Sequence, residues 1–317
     1  MTLVEKLVAI EKTQGVKVDF LGYLLWYTIT DCKITRNDLE TVFNHAGLDL
    51  KYLPKPISPR DAFRRASKRG ELKRYPIDKD RYLNLLVREV SQDAKTVVHQ
   101  IVREVVDSKN VRLEYTPIAQ LKLEAGTLNV SILSNIEATE RCAITAIQDA
   151  YEIERDHYNG QTIRNIIVDI LNTCKPVAVR PSGGVYFVPE QYNDTLEALK
   201  RFVNELAPWA VGNRRPRFWT VPVVDAAEER EMLGESLEED IASESARLID
   251  EMTKILKGSR TITPLVTQQY AERIKALAEK VRTYEDMLDT KLVAAKSNLD
   301  LVRQQALLLM ERVSENA

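Results

Sequence analysis

A chain of 317 residues that is 44% hydrophobic and 29% charged has the composition of a packed protein of about two domains. Its net charge of −2 gives it no whole-chain attraction to a polyanion or a membrane, and its most apolar early run, residues 20–29, is too short to span a bilayer. Three widely separated cysteines, Cys32, Cys142 and Cys174, have no Cys-x-x-Cys spacing, so neither a zinc knuckle nor a disulfide framework is supported, and a reducing, cytoplasmic setting fits best.

Charge is unevenly distributed. Residues 51–81 hold eleven Lys/Arg against four Asp/Glu, whereas residues 225–251 hold eleven Asp/Glu against two Arg. Such asymmetry points to separate interaction surfaces. The N-terminus carries Glu5 and Lys6 where a secretory signal has an apolar core.

In chain order, Leu3, Leu7 and Ile10 predict a helix over residues 2–12, and Asp19 caps a second, apolar helix over 20–30. Thr35 with Asp38 predicts the start of a helix over 36–46, and Gly47 its end. The pair is compatible with a helix-turn-helix or with plain packing. Pro54, Pro56 and Pro59 interrupt regular structure before a short helix over 59–68. That helix and the residues after it carry Arg60, Arg64, Arg65, Lys68, Arg69, Lys73 and Arg74, with Phe63, Tyr75 and Tyr82 among them. Long cations on a positioned element suit phosphates, and aromatics suit bases, so this is the leading nucleic-acid candidate. The alternative is a solvated basic face paired with the acidic helix after Asp225.

From residue 81 to 132 the period changes to two. Leu83, Leu85 and Val87, then Val111, Leu113 and Tyr115, then Leu128, Val130 and Ile132 alternate with polar neighbours. Four or five antiparallel strands with one buried face follow, although residues 96–106 also fit a helix. Amphipathic helices are expected over 139–156 and 161–173, then a β-hairpin around Ser182-Gly183-Gly184. Helix, turn, helix and hairpin is the order of a winged helix, which places Arg180 beside the wing. Residues 193–206 predict a helix and 217–224 a strand. Trp209 and Trp219 lie near Arg214, Arg215 and Arg217 and read as head core, with an interface role as the alternative.

The last 93 residues read as two long helices broken at residues 257–260. In the second, Tyr270, Ile274, Leu277, Val281, Tyr284, Leu288, Leu292, Leu299, Val302 and Leu309 lie on a heptad seam with one four-residue interruption. An apolar seam of that length must be buried against the head, a second copy or another protein. The seam is therefore read as an oligomer or partner interface, with an intramolecular bundle as the alternative.

The expected fold is α+β and mostly helical. It comprises an N-terminal helical unit with the basic segment (1–80), a head with an antiparallel sheet, helix pair and hairpin (81–224), and a two-helix coiled-coil rod (225–317). No phosphate loop, nucleophile elbow, zinc helix or calcium loop is present, and His45, His99 and His157 are dispersed. No cofactor, metal or small-molecule substrate is expected. The sequence thus favours a non-enzymatic, oligomerising nucleic-acid-binding protein. The alternatives are a structural or adaptor subunit docking through its C-terminal helices and a metal-dependent hydrolase using carboxylates such as Glu89, Glu104, Asp107 and Glu114.

Overall fold

A computed structural model describes residues 19–180, 183–258 and 263–315; the helix expected over 2–12 and the tip of the hairpin lie outside the described residues. The fold is α+β, about 53% helix and 27% strand.

Residues 20–30, expected as a helix, form strand β1 (Phe20–Thr28). Both faces of this strand are covered. Leu25 packs into a helical core on one side, and Leu21 and Leu24 meet the C-terminal helices on the other. An unbroken apolar run fits a doubly buried strand as well as a buried helix, and Phe20, Tyr23, Trp26 and Tyr27 favour the strand. Strand β2 (Ile34–Thr35) leads into helix α1 (Arg36–Ala46), bounded as expected. The Asp38 N–H donates to Thr35 Oγ1 at 3.2 Å, and Gly47 ends the helix with a φ of 77°. Helix α2 (Pro59–Ser67) follows the proline-rich segment, with Pro59 in its first turn.

Strands β3 (Leu72–Pro76), β4 (Arg81–Gln92), β5 (Thr96–Asp107), β6 (Arg112–Glu124) and β7 (Thr127–Ile132) form an antiparallel meander in sequence order. Residues 96–106 are its central strand, where β-branched residues pack well. Helix α3 (Ala138–Asp156), strand β8 (His157–Tyr158) and helix α4 (Gly160–Thr173) follow. Then come β9 (Val177–Ala178), β10 (Tyr186–Pro189), helix α5 (Asn193–Glu205) and β11 (Arg217–Val224).

Two sheets result, joined by the short β2–β8 pair. The four-stranded sheet has the order β11-β1-β10-β9. Residues of α1, α4 and α5 cover one face through Leu39, Phe43, Ile163, Ile167, Leu199 and Phe202. In the hairpin after α4, β10 pairs with β9 on one edge and with β1 on the other. Among the described residues the five-stranded sheet carries helices on one face, α2 and α3, through Phe63, Ala66, Ile144, Ile147 and Tyr151, while on its other face the central strand buries Val98, Val102 and Val106 among neighbouring side chains. The segment before residue 80 is divided between the sheets, β1 going to the first and β3 to the second.

The C-terminal rod contains three described helices: α6 (Ala227–Lys257), α7 (Pro264–Leu288) and α8 (Val293–Glu315). The second expected helix is divided at Asp289, which takes a left-handed φ of 50°. The break falls where Tyr284, Leu288 and Leu292 interrupt the heptad. There the Leu292 N–H donates to the Glu285 carboxylate at 2.8 Å, and the chain turns back. All ten seam residues, from Tyr270 to Leu309, are buried in a cluster that also contains Leu233, Leu237, Ile241, Leu248 and Met252 of α6. The seam therefore has an occupant within the chain. The acidic α6 is tied to the same bundle, with Glu251 paired to Arg273 at 2.6 Å and Asp240 to Lys280. Tyr284 anchors the rod to the four-stranded sheet. It is fully buried, and its hydroxyl donates to the Lys175 carbonyl at 2.9 Å beside Phe187. No helix among the described residues is long and apolar enough to cross a membrane.

Candidate nucleic-acid interface

The basic segment divides into residues held inside the protein and residues left outside. Arg60 donates to the Asp93 carbonyl at 2.7 Å. Arg64 bonds Glu89 at 3.2 Å and Gln92 at 2.6 Å, and Arg65 bonds the Glu154 carboxylate at 2.7 Å. These three arginines tie α2 to the β4–β5 turn and to α3; none of them meets the acidic α6. Lys68, Arg69 and Lys73 are exposed and have no ion-pair partner among the described residues. Arg180 is exposed at the end of β9, in the other sheet, and is not brought together with them.

Arg74 belongs to the uncovered face of the five-stranded sheet. A bulge between Leu72 and Tyr75 puts it at a φ of 51°, with its guanidinium 4.3 Å from the Tyr82 ring centroid. The strand register identifies its companions. Asn84, Glu104 and Tyr115 are cross-strand partners, as are Tyr82, Val106 and Arg112, and Leu86 and Val102. Residues on the opposite face, including Leu83, Leu85 and Ile101, pack under α2 and α3. Across β4 to β6 the open face thus presents Tyr82, Arg88, Arg112, Tyr115 and Lys122.

Arg112 lies 4.6 Å from the Tyr115 ring centroid, repeating the Arg74–Tyr82 arrangement on a second strand. Tyr115 is 46% exposed, so its ring is available to a ligand. Glu104 is the one carboxylate at the centre of this face. A hydrogen bond from Asn84 and the Arg112 guanidinium hold its pKa below the ordinary carboxylate value, so it is ionised and internally compensated. Arg74 and Arg88, with Lys73 next to Arg74 on β3, supply the surplus positive charge; Lys68 and Arg69 lie in the turn after α2, where Gly70 packs on Ile147 of α3, and so belong to the helix-covered side. Two flat tyrosines, each with a guanidinium against it, on an antiparallel sheet suit unpaired bases and their phosphates.

The sequence placed the site on α2. Its period-two reading grouped Tyr115 with Val111 and Leu113 on the face taken as buried and left Tyr82 on the other; in the structure Val111, Leu113 and Tyr115 are exposed, and Tyr82 and Tyr115 share the open face. That sharing depends on cross-strand register, which the bulges shift.

The carboxylates considered for a metal do not converge. Glu89 and Glu114 lie on the helix-covered face, bonded to Arg64 and Arg103, whereas Glu104 lies on the open one. Asp107 accepts the N–H groups of Lys109 and Val111 in its own turn. No group of three His, Cys, Asp or Glu among the described residues is placed to hold a metal ion. Ser67, His99 and Glu89 form a Ser–His–acid line, with Ser67 Oγ 2.8 Å from His99 Nδ1 and His99 Nε2 3.4 Å from Glu89. Ser67 is only 2% exposed and its hydroxyl lies 2.7 Å from the Phe63 carbonyl, so the line is a packed network rather than an accessible nucleophile.

Fold and site together define an α+β protein with one sheet packed between helices and the rod, a second sheet with helices on one face among the described residues, and a three-helix rod. The chain belongs to a protein family of unknown function, DUF6744, whose model matches residues 20–315. No curated protein and no solved structure matches it.

Proposed function

We propose that this protein is a non-enzymatic nucleic-acid-binding protein that lays a single strand across the open face of its five-stranded sheet. The observation that carries this reading is the repeated Arg–Tyr stack, Arg74 on Tyr82 and Arg112 on Tyr115, on a sheet face without a covering element among the described residues. Bases stack on the tyrosines, and phosphates meet Arg74, Arg88 and Lys73. The buried, unpaired thiols of Cys32 and Cys174 are consistent with a reducing, cytoplasmic setting.

The test is fluorescence anisotropy of a labelled oligothymidylate and a labelled duplex over a salt series. Tyr82→Ala and Tyr115→Ala are each expected to weaken single-strand binding about tenfold, the scale of one stacked base. Changing Lys73, Arg74 and Arg88 to Ala should reduce the salt slope by about 2. If folded wild-type protein fails to bind at low salt, the reading is wrong.

A second reading, an adaptor docking on a protein partner, is favoured by α8. Its Leu301, Leu307, Leu308 and Met310 are exposed after the bundle has formed. Light scattering of wild type against Leu307→Lys with Leu308→Lys checks it. A wild type that is monomeric and retains no protein partner removes this reading.

A further inference from the structure

The four-stranded sheet also has an uncovered patch. Trp26 of β1 and Trp219 of β11 are cross-strand partners, with ring centroids 5.9 Å apart and planes inclined by 20°. They lie on the face that carries Leu24 and Val223 against the rod, but neither belongs to that apolar cluster, and Trp26 is 36% exposed. The Arg217 guanidinium is 5.8 Å from the Trp219 ring centroid. Arg214, Arg215 and Arg217 are exposed and have no ion-pair partner among the described residues. Two near-parallel indoles, with Arg217 against one of them, Arg215 lining the same hollow and Arg214 preceding it in the chain, are more than an edge strand needs for protection.

We infer that this patch is a second contact for single-stranded nucleic acid, with a base stacked on Trp26 and phosphates on Arg214, Arg215 and Arg217; the inference rests on the function proposed above. Three features select a nucleic acid over an acidic peptide. The paired indoles present a flat π surface, which matches a base. The Arg–aromatic unit is the one found twice on the other sheet. Pro222 removes a backbone donor from edge strand β11, which hinders recognition of a peptide by strand addition. The charge is of one sign, so the patch requires an anion, and the stacking surface requires that the anion carry aromatic rings.

The experiment uses the full chain and unlabelled oligothymidylate of about 20 nucleotides, long enough for more than one contact. Tryptophan emission is followed beside the anisotropy of the labelled oligomer. Trp209, partly buried against the helical core, is removed by Trp209→Phe so that emission comes from Trp26 and Trp219. Oligothymidylate is expected to quench this emission. Trp26→Ala should weaken binding about tenfold and abolish most of the quenching, and Arg217→Ala should weaken binding less. Because Trp26 is exposed, melting temperature should stay near that of wild type.

If anisotropy reports binding without quenching, and Trp26→Ala binds within about twofold of wild type, the second contact is overturned while the open face of the other sheet stands. If neither signal changes at low salt with folded protein, both readings fall. If poly-glutamate displaces the oligomer at equal charge concentration, the patch is a general anion or acidic-peptide site and the inference fails.

Discussion

The two sheets use similar residues but are covered differently. The four-stranded sheet has α1, α4 and α5 on one face and the rod on much of the other, so β1 is apolar at almost every position. The five-stranded sheet has helices on one face among the described residues, and much of β4 alternates, with bulges interrupting the alternation in β5 and β6. On the first sheet aromatic residues are mostly core. On the second, Tyr82 and Tyr115 each have an arginine against the ring and no helix over them among the described residues. An aromatic side chain on a sheet therefore acquires functional meaning only once the cover of its face is known. Trp26 and Trp219, beyond the rod on an otherwise sealed face, follow the same rule.

The largest expected effect breaks the cover itself. Tyr284→Ala removes a fully buried ring and the hydroxyl that bonds the Lys175 carbonyl, at a cost of about 3–5 kcal/mol. Urea unfolding should show it as a lower midpoint, with the rod becoming susceptible to protease. Tyr82→Ala, on the open face, should cost less than about 1 kcal/mol. Equal losses for the two variants would erase the distinction between covered and open faces.

The next effect lies on the helix-covered side of the five-stranded sheet. Arg103 there makes two 2.6 Å hydrogen bonds to Glu140 of α3, which is 2% exposed. Burial pushes the Glu140 pKa up, but Arg103 and the Glu137 N–H more than offset this and hold it below the ordinary value. Glu140→Gln leaves Arg103 with Glu114 and the Asn135 carbonyl, so a loss of about 3 kcal/mol is expected, the lower end for a broken buried pair. A loss under about 1 kcal/mol would show that the charge pair does not hold α3 to the sheet.

These contrasts also explain which parts of the fold were legible in sequence. The Thr35 cap, Gly47, the alternation of Leu83 and Leu85 in β4 and the limits of β11 are local signals, and the structure follows them, whereas Val111, Leu113 and Tyr115, read as a buried set, are exposed. The state of β1 was not local: it depends on β10, β11 and the rod, which come more than 150 residues later. The seam was legible but its occupant was not, because one left-handed residue, Asp289, converts an apparent 50-residue helix into two. At the site, the cations of residues 60–74 were visible. Their division into tethered Arg60, Arg64 and Arg65 and free Lys68, Arg69 and Lys73 required the positions of Asp93, Glu89 and Glu154.

A smaller, stabilising effect is expected in the rod. Ser245 occupies the gap in the α6 stripe between Ile241 and Leu248, is buried, and its hydroxyl has no hydrogen-bond partner among the described residues. Ser245→Ala should therefore raise stability by about 1 kcal/mol, seen as a higher thermal midpoint. A lower midpoint would mean that the hydroxyl is bonded in solution.

The smallest effect concerns pH and the network under α2. His99 is buried, its ring stacked on Phe63 with centroids 4.4 Å apart. Burial lowers its pKa, the neighbouring Arg64 lowers it further, and Glu89 opposes both. The unfolded chain, with a histidine pKa of about 6.5, therefore binds this proton more readily than the folded one. Stability is complete above that value and declines as pH falls through it. Carboxylates with lowered pKa values enter only later. Those of Glu89 and Glu104 lie below the ordinary value, and Thr96 with nearby N–H groups holds Asp93 at about 2, so their contributions are lost only as pH falls below about 4. The slope between about pH 7 and about pH 5 thus belongs largely to His99 among these groups, and His99→Gln should flatten it. If His99→Gln keeps the wild-type slope, another histidine carries it. If wild type is flat there, Glu89 balances burial and Arg64, and His99 takes up its proton over the same pH range in the folded and unfolded chains.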